Sequence, residues 1–313
     1  MPNLKRAVSN FGKTTLRQVF EIGQGIGLDI LPRHFYSEIP NIQELKRESD
    51  WQRPRSLVGV HGRETENQIK FVKECFSQSL KERLVQGEIY AQACSANGEP
   101  GFGFVEANFL YCFIHEKRPA RIVQIGSGVS TAVILAASRE AGYKPEIICI
   151  DPFPTQFLRK AAESCEIKLI VEKAQQTSLE TLTDLGKQGF LFIDSTHTVK
   201  PGSEVNYLIL EVLPRLPLGS YVHFHDIYFP YDYSRGLLTQ ELFFHNESTL
   251  LQAFLTNNPK YTLMASLSML HYAHPEELKQ IFPSYHPAPS RFGLEIKDQE
   301  GHFPSSAYLQ VVS

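Results

Sequence analysis

The chain has 313 residues, 42% of them apolar and 21% charged, enough for one large α/β domain with an added segment. A formal net charge of -3 leaves no overall basic surface, which argues against nucleic acid as a partner. Five cysteines, at positions 75, 94, 112, 149 and 165, are odd in number and lack CxxC spacing, which argues against a zinc ribbon or disulfide framework and for reduced thiols and a cytoplasmic setting.

Residues 4–22 place Leu4, Val8, Phe11, Leu16, Val19, Phe20 and Ile22 at roughly helical spacing, with Lys5, Arg6, Lys13 and Arg17 mostly opposite. This predicts an amphipathic helix that docks on the protein or on a second copy, making it a candidate homo-oligomer contact; a membrane surface is the sharper alternative. The chain contains neither a continuous apolar signal-peptide core near its start nor an apolar run long enough for a transmembrane helix. The stretch "EIGQGIG" (21–27) matches a glycine-rich cofactor loop letter for letter, but no strand delivers it, and Pro32 opposes a following helix. A helix end and turn is the expected reading.

Residues 25–120 contain Pro32, Pro40 and Pro54 and helical patterns over 66–84 and 104–116. They are read as part of a helical N-terminal cap over 1–118, preceding a main domain over 119–313. From residue 121 onward short apolar runs alternate with helical stretches. Strands are predicted at 121–126, 146–151, 167–172, 189–194 and 221–227, each of the first four followed by a helix, with further strands at 260–266 and 291–297. The fold class is therefore α/β, a Rossmann-like doubly wound sheet.

"QIGSGVST" (124–131) lies where a strand meets a helix, so Gly128 permits close approach of the backbone and Ser130 or Thr131 can cap the helix. Thr131 stands where a dinucleotide fingerprint has its third glycine. Asp151 ends the next strand, where a carboxylate can accept both hydroxyls of a ribose. Strand four ends in "IDSTH" and strand five in "HFHDI", so Asp194, His197, His225 and Asp226 share the crevice at the carboxyl ends of the strands. Alternation sends Val222, Phe224 and Asp226 to one side and His223, His225 and Ile227 to the other. Two carboxylates and an imidazole could hold a divalent cation or do proton chemistry without one. His223, deeper in the strand, is read as a core histidine.

"VQIGSGVSTAVI", "ICIDPFP", "LFIDSTHTVKPGSEVNYLILEVLPRLPLGSYVHFHDIYFPYDY" and the looser "LPRHFYSEIP" resemble the class I S-adenosylmethionine-dependent methyltransferases, in the branch of small-molecule and sugar O-methyltransferase-like proteins. The resemblance implies a seven-stranded sheet whose last strand, "RFGLEIK", is antiparallel to its neighbours. It implies that Gly126, Ser127 and Gly128 lie along the methionine part of the cofactor, that Asp151 binds the ribose, and that 174–178, with Gln176, approaches the adenine. It also implies a catalytic role for Asp194 and for His197, the latter as general base, and a divalent metal (Mg, Mn or Fe) held by Asp194, His225 and Asp226. His225 stands where the family's acidic pair has its first acid, and Gln124 replaces an acid before the glycine loop.

The expected activity is methyl transfer to the hydroxyl of a small molecule or sugar, with Tyr228, Tyr231 and Tyr233 forming a lid. A nicotinamide-dependent oxidoreductase and a non-catalytic cofactor-binding protein are the alternatives.

Overall fold

A computed structural model describes residues 2–283, 285 and 304–313. Two compact units divide after Ile42. The first contains helix Pro2–Gly25. Its glycines close the helix: the amides of Ile26 and Leu28 both donate to the Gly23 carbonyl, and Gly27 adopts a positive φ of 81°. "EIGQGIG" is thus a helix end and turn.

The second unit is built on seven strands: β1 (Arg121–Ile125), β2 (Glu146–Ile150), β3 (Lys168–Ile170), β4 (Phe190–Ile193), β5 (Tyr221–Phe224), β6 (Tyr261–Ser266) and β7 (Ala307–Val311). They form one sheet in the order β3-β2-β1-β4-β5-β7-β6. The pairs β2/β3, β1/β2, β1/β4 and β4/β5 are parallel, whereas β7 is antiparallel to both β5 and β6. The expected doubly wound, seven-stranded sheet with one reversed strand is present. The reversed strand is Ala307–Val311; the predicted strand 291–297 lies outside the described residues.

Alternation along the strands divides the core in two. Ile122, Cys149, Phe190, Phe192 and Tyr308 pack on one face with helices Thr65–Glu74, Phe104–Lys117 and Val129–Glu140. Val123, Ile125, Ile148, Leu191, Ile193, Val222 and Leu309 pack on the other with residues 205–216 and helix Glu247–Leu255. The helix predicted over 66–84 is two, Thr65–Glu74 and Gln78–Val85, separated by the buried Cys75. That break lets Leu80 and Leu84 enter the same core as Ile69 and Val72. Ile227 was expected on the His223 face but packs with Val222 and Phe224, because Asp226 has a φ of 52° and breaks the alternation.

No helix among the described residues is long and apolar enough to cross a membrane. Strand order reverses between β1 and β4, and a crevice at the carboxyl ends of those strands is where such sheets bind ligands.

Candidate functional site

β1 runs into Gly126, which has a φ of 72° and whose Cβ, were there one, would collide with the Asp194 carbonyl oxygen at the end of β4. The Asp194 amide in turn donates to the Ile125 carbonyl at 2.8 Å. A side chain at 126 is therefore excluded on two counts, and the glycine loop and Asp194 are held together at the switch point. Gly128 gives close approach to Asn97, whose amide group would lie 3.3 Å from an added Cβ.

Asp151 accepts from the Ser127 amide through Oδ2 (3.1 Å) and from the Phe153 amide through Oδ1 (2.8 Å). The structure thus joins the glycine loop to the carboxylate expected beside the ribose. Gln124 is fully buried; its Oε1 accepts from the Thr131 hydroxyl (2.9 Å) and its Nε2 donates to Ser130 (3.1 Å), which braces the first turn of the following helix. Gln176 is exposed, and its Oε1 accepts from the Lys173 amide within its own turn. Its neighbour Gln175 is half-buried and donates to the Gly202 carbonyl at 2.9 Å.

The residues present fit a polar cofactor. Ser127 Oγ, Gln175 Oε1 and Thr177 Oγ1 are buried without a nitrogen or oxygen partner, an expensive condition that a hydrogen-bonding ligand would relieve.

At the ends of β4 and β5 the predicted polar residues converge. Asp194 Oδ1 lies 3.5 Å from His197 Nε2 and 3.4 Å from His225 Nδ1. Asp226 Oδ2 lies 3.5 Å from the same His197 atom and 3.7 Å from the same His225 atom. Donor atoms of Asp194, His197 and His225 all fall within 4.8 Å of one another. His225 Nδ1 is buried and faces both carboxylates at ion-pair distance without a well-aligned hydrogen bond to either.

Burial would lower the His225 pKa, but the charges of Asp226 and Asp194 overrule it and push it up to about 9. Burial would likewise lower that of His197; hydrogen bonding to Asp194 and Glu247 holds it well above its ordinary value. Both aspartates are held below theirs: burial acts to raise them, and the charge of His225 foremost overrides it.

His223 is a core residue, stacked on Phe192 at 4.3 Å with its Nε2 against the Ser306 hydroxyl. Burial, then the His225 charge, keep its pKa well below normal. Tyr228 and Tyr233 are buried, Tyr231 is half-buried, and the Tyr228 hydroxyl donates to Asp226 Oδ1 at 3.4 Å.

Four contributors were not found from sequence. Glu247, fully buried, receives the His197 Nδ1 proton at 2.8 Å and the Ser195 hydroxyl at 2.9 Å. Ser305 donates to Asp226 Oδ1 at 2.9 Å, and its own amide donates to the buried Glu106 at 2.8 Å. Phe102, with a φ of 63°, sets its ring 5.0 Å from that of His225. His245 lies 5.0 Å from His197, ring to ring, and burial with the His197 charge lowers its pKa to about 4. The only signal for any of them was the glycine pair flanking Phe102 in "PGFGF", which marks irregular backbone.

Residues 123–227 match the family model of a methyltransferase domain. A protein of Archaeoglobus fulgidus described as uncharacterized is 28% identical over 152 residues, 44% of this chain; the chain spans 65% of that relative's length. Among solved structures, the chain is similar to an S-adenosylhomocysteine-bound methyltransferase of Podospora anserina (15% identity, 74% of this chain and 88% of that one, TM-score 0.41). It is also similar to the O-methyltransferase TomG of Streptomyces achromogenes, solved with S-adenosylmethionine (15% identity, 79% and 96%, TM-score 0.42). A third likeness is to an O-methyltransferase of Bacillus cereus (12% identity, 76% and 92%, TM-score 0.40). At such TM-scores nothing about site or substrate passes from these proteins to this one. The family match runs from β1 past the end of β5, the segment that carries the glycine loop, Asp151 and the polar strand ends, and over this third of its length the chain is similar to a methyltransferase domain.

Proposed function

We propose that this protein transfers the methyl group of S-adenosylmethionine to a hydroxyl of a small molecule or sugar. The observation that carries the reading is the junction at Gly126: the loop tied to Asp151 also touches Asp194, which belongs to the His/Asp cluster. Cofactor and acceptor would therefore meet at one point of the sheet.

S-adenosylmethionine supplies an electrophilic methyl group, so the protein's tasks are alignment and removal of the acceptor's proton. Asp151 is the ribose-binding group, and Gly126, Ser127 and Gly128 form the wall along the methionine part. We read Gln175 and Thr177, in addition to the expected Gln176, as the hydrogen-bonding groups nearest the adenine, since their oxygens are the buried ones. At the acceptor end, Glu247 fixes His197 Nδ1 as the donor and leaves Nε2 turned toward Asp194 and Asp226.

Two arrangements then deal with the proton. In one, His197 takes it through Nε2 once the ring has given up the proton that Asp194 and Glu247 hold on it. The other is favoured by the convergence of donors from Asp194, His197 and His225: these residues would hold a divalent cation, which would lower the pKa of a bound hydroxyl. Residues 1–118 are an addition to the 119–313 domain in this reading, with Leu16, Val19 and Ile22, exposed along their helix, as a contact for a second copy that light scattering would reveal.

Calorimetry decides the main point. The protein should bind S-adenosylhomocysteine and not NAD; NAD binding with no response to S-adenosylhomocysteine would select the oxidoreductase alternative. His197→Ala should abolish methyl transfer while cofactor binding persists.

A further inference from the structure

Of the residues around the acceptor end, three converge on a common point: Asp194, His197 and His225, each offering one donor within 4.8 Å of the other two. We infer that these three residues form a centre for a divalent d-block ion such as Zn²⁺, with His197 a ligand through Nε2, and that Mg²⁺ is not its ion. This deepens the second arrangement above, and rests on the methyltransferase reading only in leaving the open position to the acceptor's hydroxyl.

Donor chemistry is the first argument. Mg²⁺ favours oxygen ligands, whereas imidazole suits Zn²⁺, Fe²⁺ and related ions. Two of the three converging donors here are imidazole nitrogens.

Spacing is the second argument. Bonds of about 2.0–2.2 Å in a tetrahedral site set neighbouring donors about 3.3–3.6 Å apart. Right-angled octahedral bonds of about 2.0–2.1 Å set them only about 2.9 Å apart. The two separations from Asp194 Oδ1, 3.4 and 3.5 Å, match the tetrahedral edge, and the two imidazole nitrogens, within 4.8 Å of each other, would draw together on an ion. Three protein ligands leave a fourth position, beside which Asp226 Oδ2 lies 3.5 and 3.7 Å from the two nitrogens.

Orientation is the third. His197 Nδ1 donates to Glu247, a fully buried carboxylate, at 2.8 Å. A ligating histidine has its other nitrogen tied in this way, which fixes the ring and strengthens the ligand. His225 contributes Nδ1, which no hydrogen bond engages. Asp226 Oδ1 already accepts from Ser305 and Tyr228, and its carboxylate flanks both imidazoles.

The test is calorimetric titration of the chelator-treated full chain with Zn²⁺, Mn²⁺ and Mg²⁺ separately. Zn²⁺ should bind one per chain, with Mn²⁺ weaker and Mg²⁺ at least about 100-fold weaker than Zn²⁺. His197→Ala should weaken Zn²⁺ binding by at least about 10-fold, with His197→Asn carrying the same expectation should the alanine variant fail to fold. His225→Asp should narrow the Zn²⁺ to Mg²⁺ preference by at least about 10-fold. Mg²⁺ binding as tight as Zn²⁺, no ion binding at all, or unchanged Zn²⁺ affinity in a folded His197 variant would each overturn the inference. Binding of S-adenosylhomocysteine by the same preparation reports on the methyltransferase reading separately and shows that each variant is folded.

Discussion

Glu247 Oε2 and His197 Nδ1 lie 2.8 Å apart, although one belongs to the first turn of helix Glu247–Leu255 and the other to the loop after β4. The backbone repeats the connection, since the His197 carbonyl accepts from the amides of Asn246 and Glu247. His197 itself is held at a φ of 57°, a conformation that costs a residue with a side chain about 1 kcal/mol or more. Helix, loop and carboxylate together determine which imidazole nitrogen faces Asp194 and Asp226.

Glu247→Gln keeps the size of this side chain and removes its charge. Zn²⁺ or Mn²⁺ affinity should fall about 10- to 100-fold, as it does when the hydrogen-bond partner of a ligating histidine is altered. S-adenosylhomocysteine binding should stay as in the wild type, because Asp151 and the glycine loop are untouched. Parallel titrations with ion and cofactor product check the split; equal loss of both would mean that Glu247 supports the fold rather than the site.

Asp151 serves the glycine loop even before any ligand arrives, through the amides of Ser127 and Phe153. Asp151→Ala removes an acceptor for both amides and the proposed acceptor for the ribose. Hydrogen bonds to a charged group contribute about 1.5–3 kcal/mol each, so S-adenosylhomocysteine affinity should drop at least about 10-fold. Zn²⁺ binding should hold, which makes this variant the mirror image of Glu247→Gln. A calorimetric loss confined to the ion would refute the assignment.

Gly126 can be compared with Gly27, another glycine of positive φ. A Cβ at Gly27 meets nothing within 4 Å, whereas one at Gly126 collides with the Asp194 carbonyl. Gly27→Ala should therefore cost only the backbone penalty of about 1–2 kcal/mol locally. Gly126→Ala must in addition push Asp194 away from β1. It should lower the melting temperature and weaken both cofactor-product and Zn²⁺ binding, while Gly27→Ala leaves both affinities intact. Thermal melts and the two titrations on each variant decide this.

Four of the five parallel strands were legible because they are buried on both faces and are written as apolar runs, such as "LFI" or "EIICI", between helical stretches, and the half-exposed edge strand β3 by its place in the alternation. The polar ends of β4 and β5 stood out against those runs. β7 did not, because "AYLQV" is short and its place depends on distant partners: Tyr308 sits opposite both His223 and Ala265. The same reason hid Glu247, Ser305 and Phe102. Each reaches the cluster from an element remote in sequence, and no local spacing records such a meeting. Gln176, which the resemblance sets near the adenine, is exposed, whereas its neighbour Gln175 is half-buried, a difference that the sequence does not record.

His225 gives a pH dependence whose sign is fixed by its neighbours. In the metal-free protein Asp226 and Asp194 overcome the effect of burial and push its pKa up to about 9, against an ordinary value of 6.5. A group whose pKa rises on folding binds its proton more tightly in the folded state, so its contribution is complete below about pH 6.5 and is lost as the pH climbs through about 9. The chelator-treated protein should therefore melt at progressively lower temperature from pH 7 to pH 9.5. In His225→Asn, which cannot carry the charge, that part of the decline should vanish. Saturating Zn²⁺ should also flatten it, because a ligated imidazole has already given up the proton. Melting curves at a series of pH values, with and without the ion, test both statements, and an identical slope in wild type and His225→Asn would show that the cluster does not hold His225 charged.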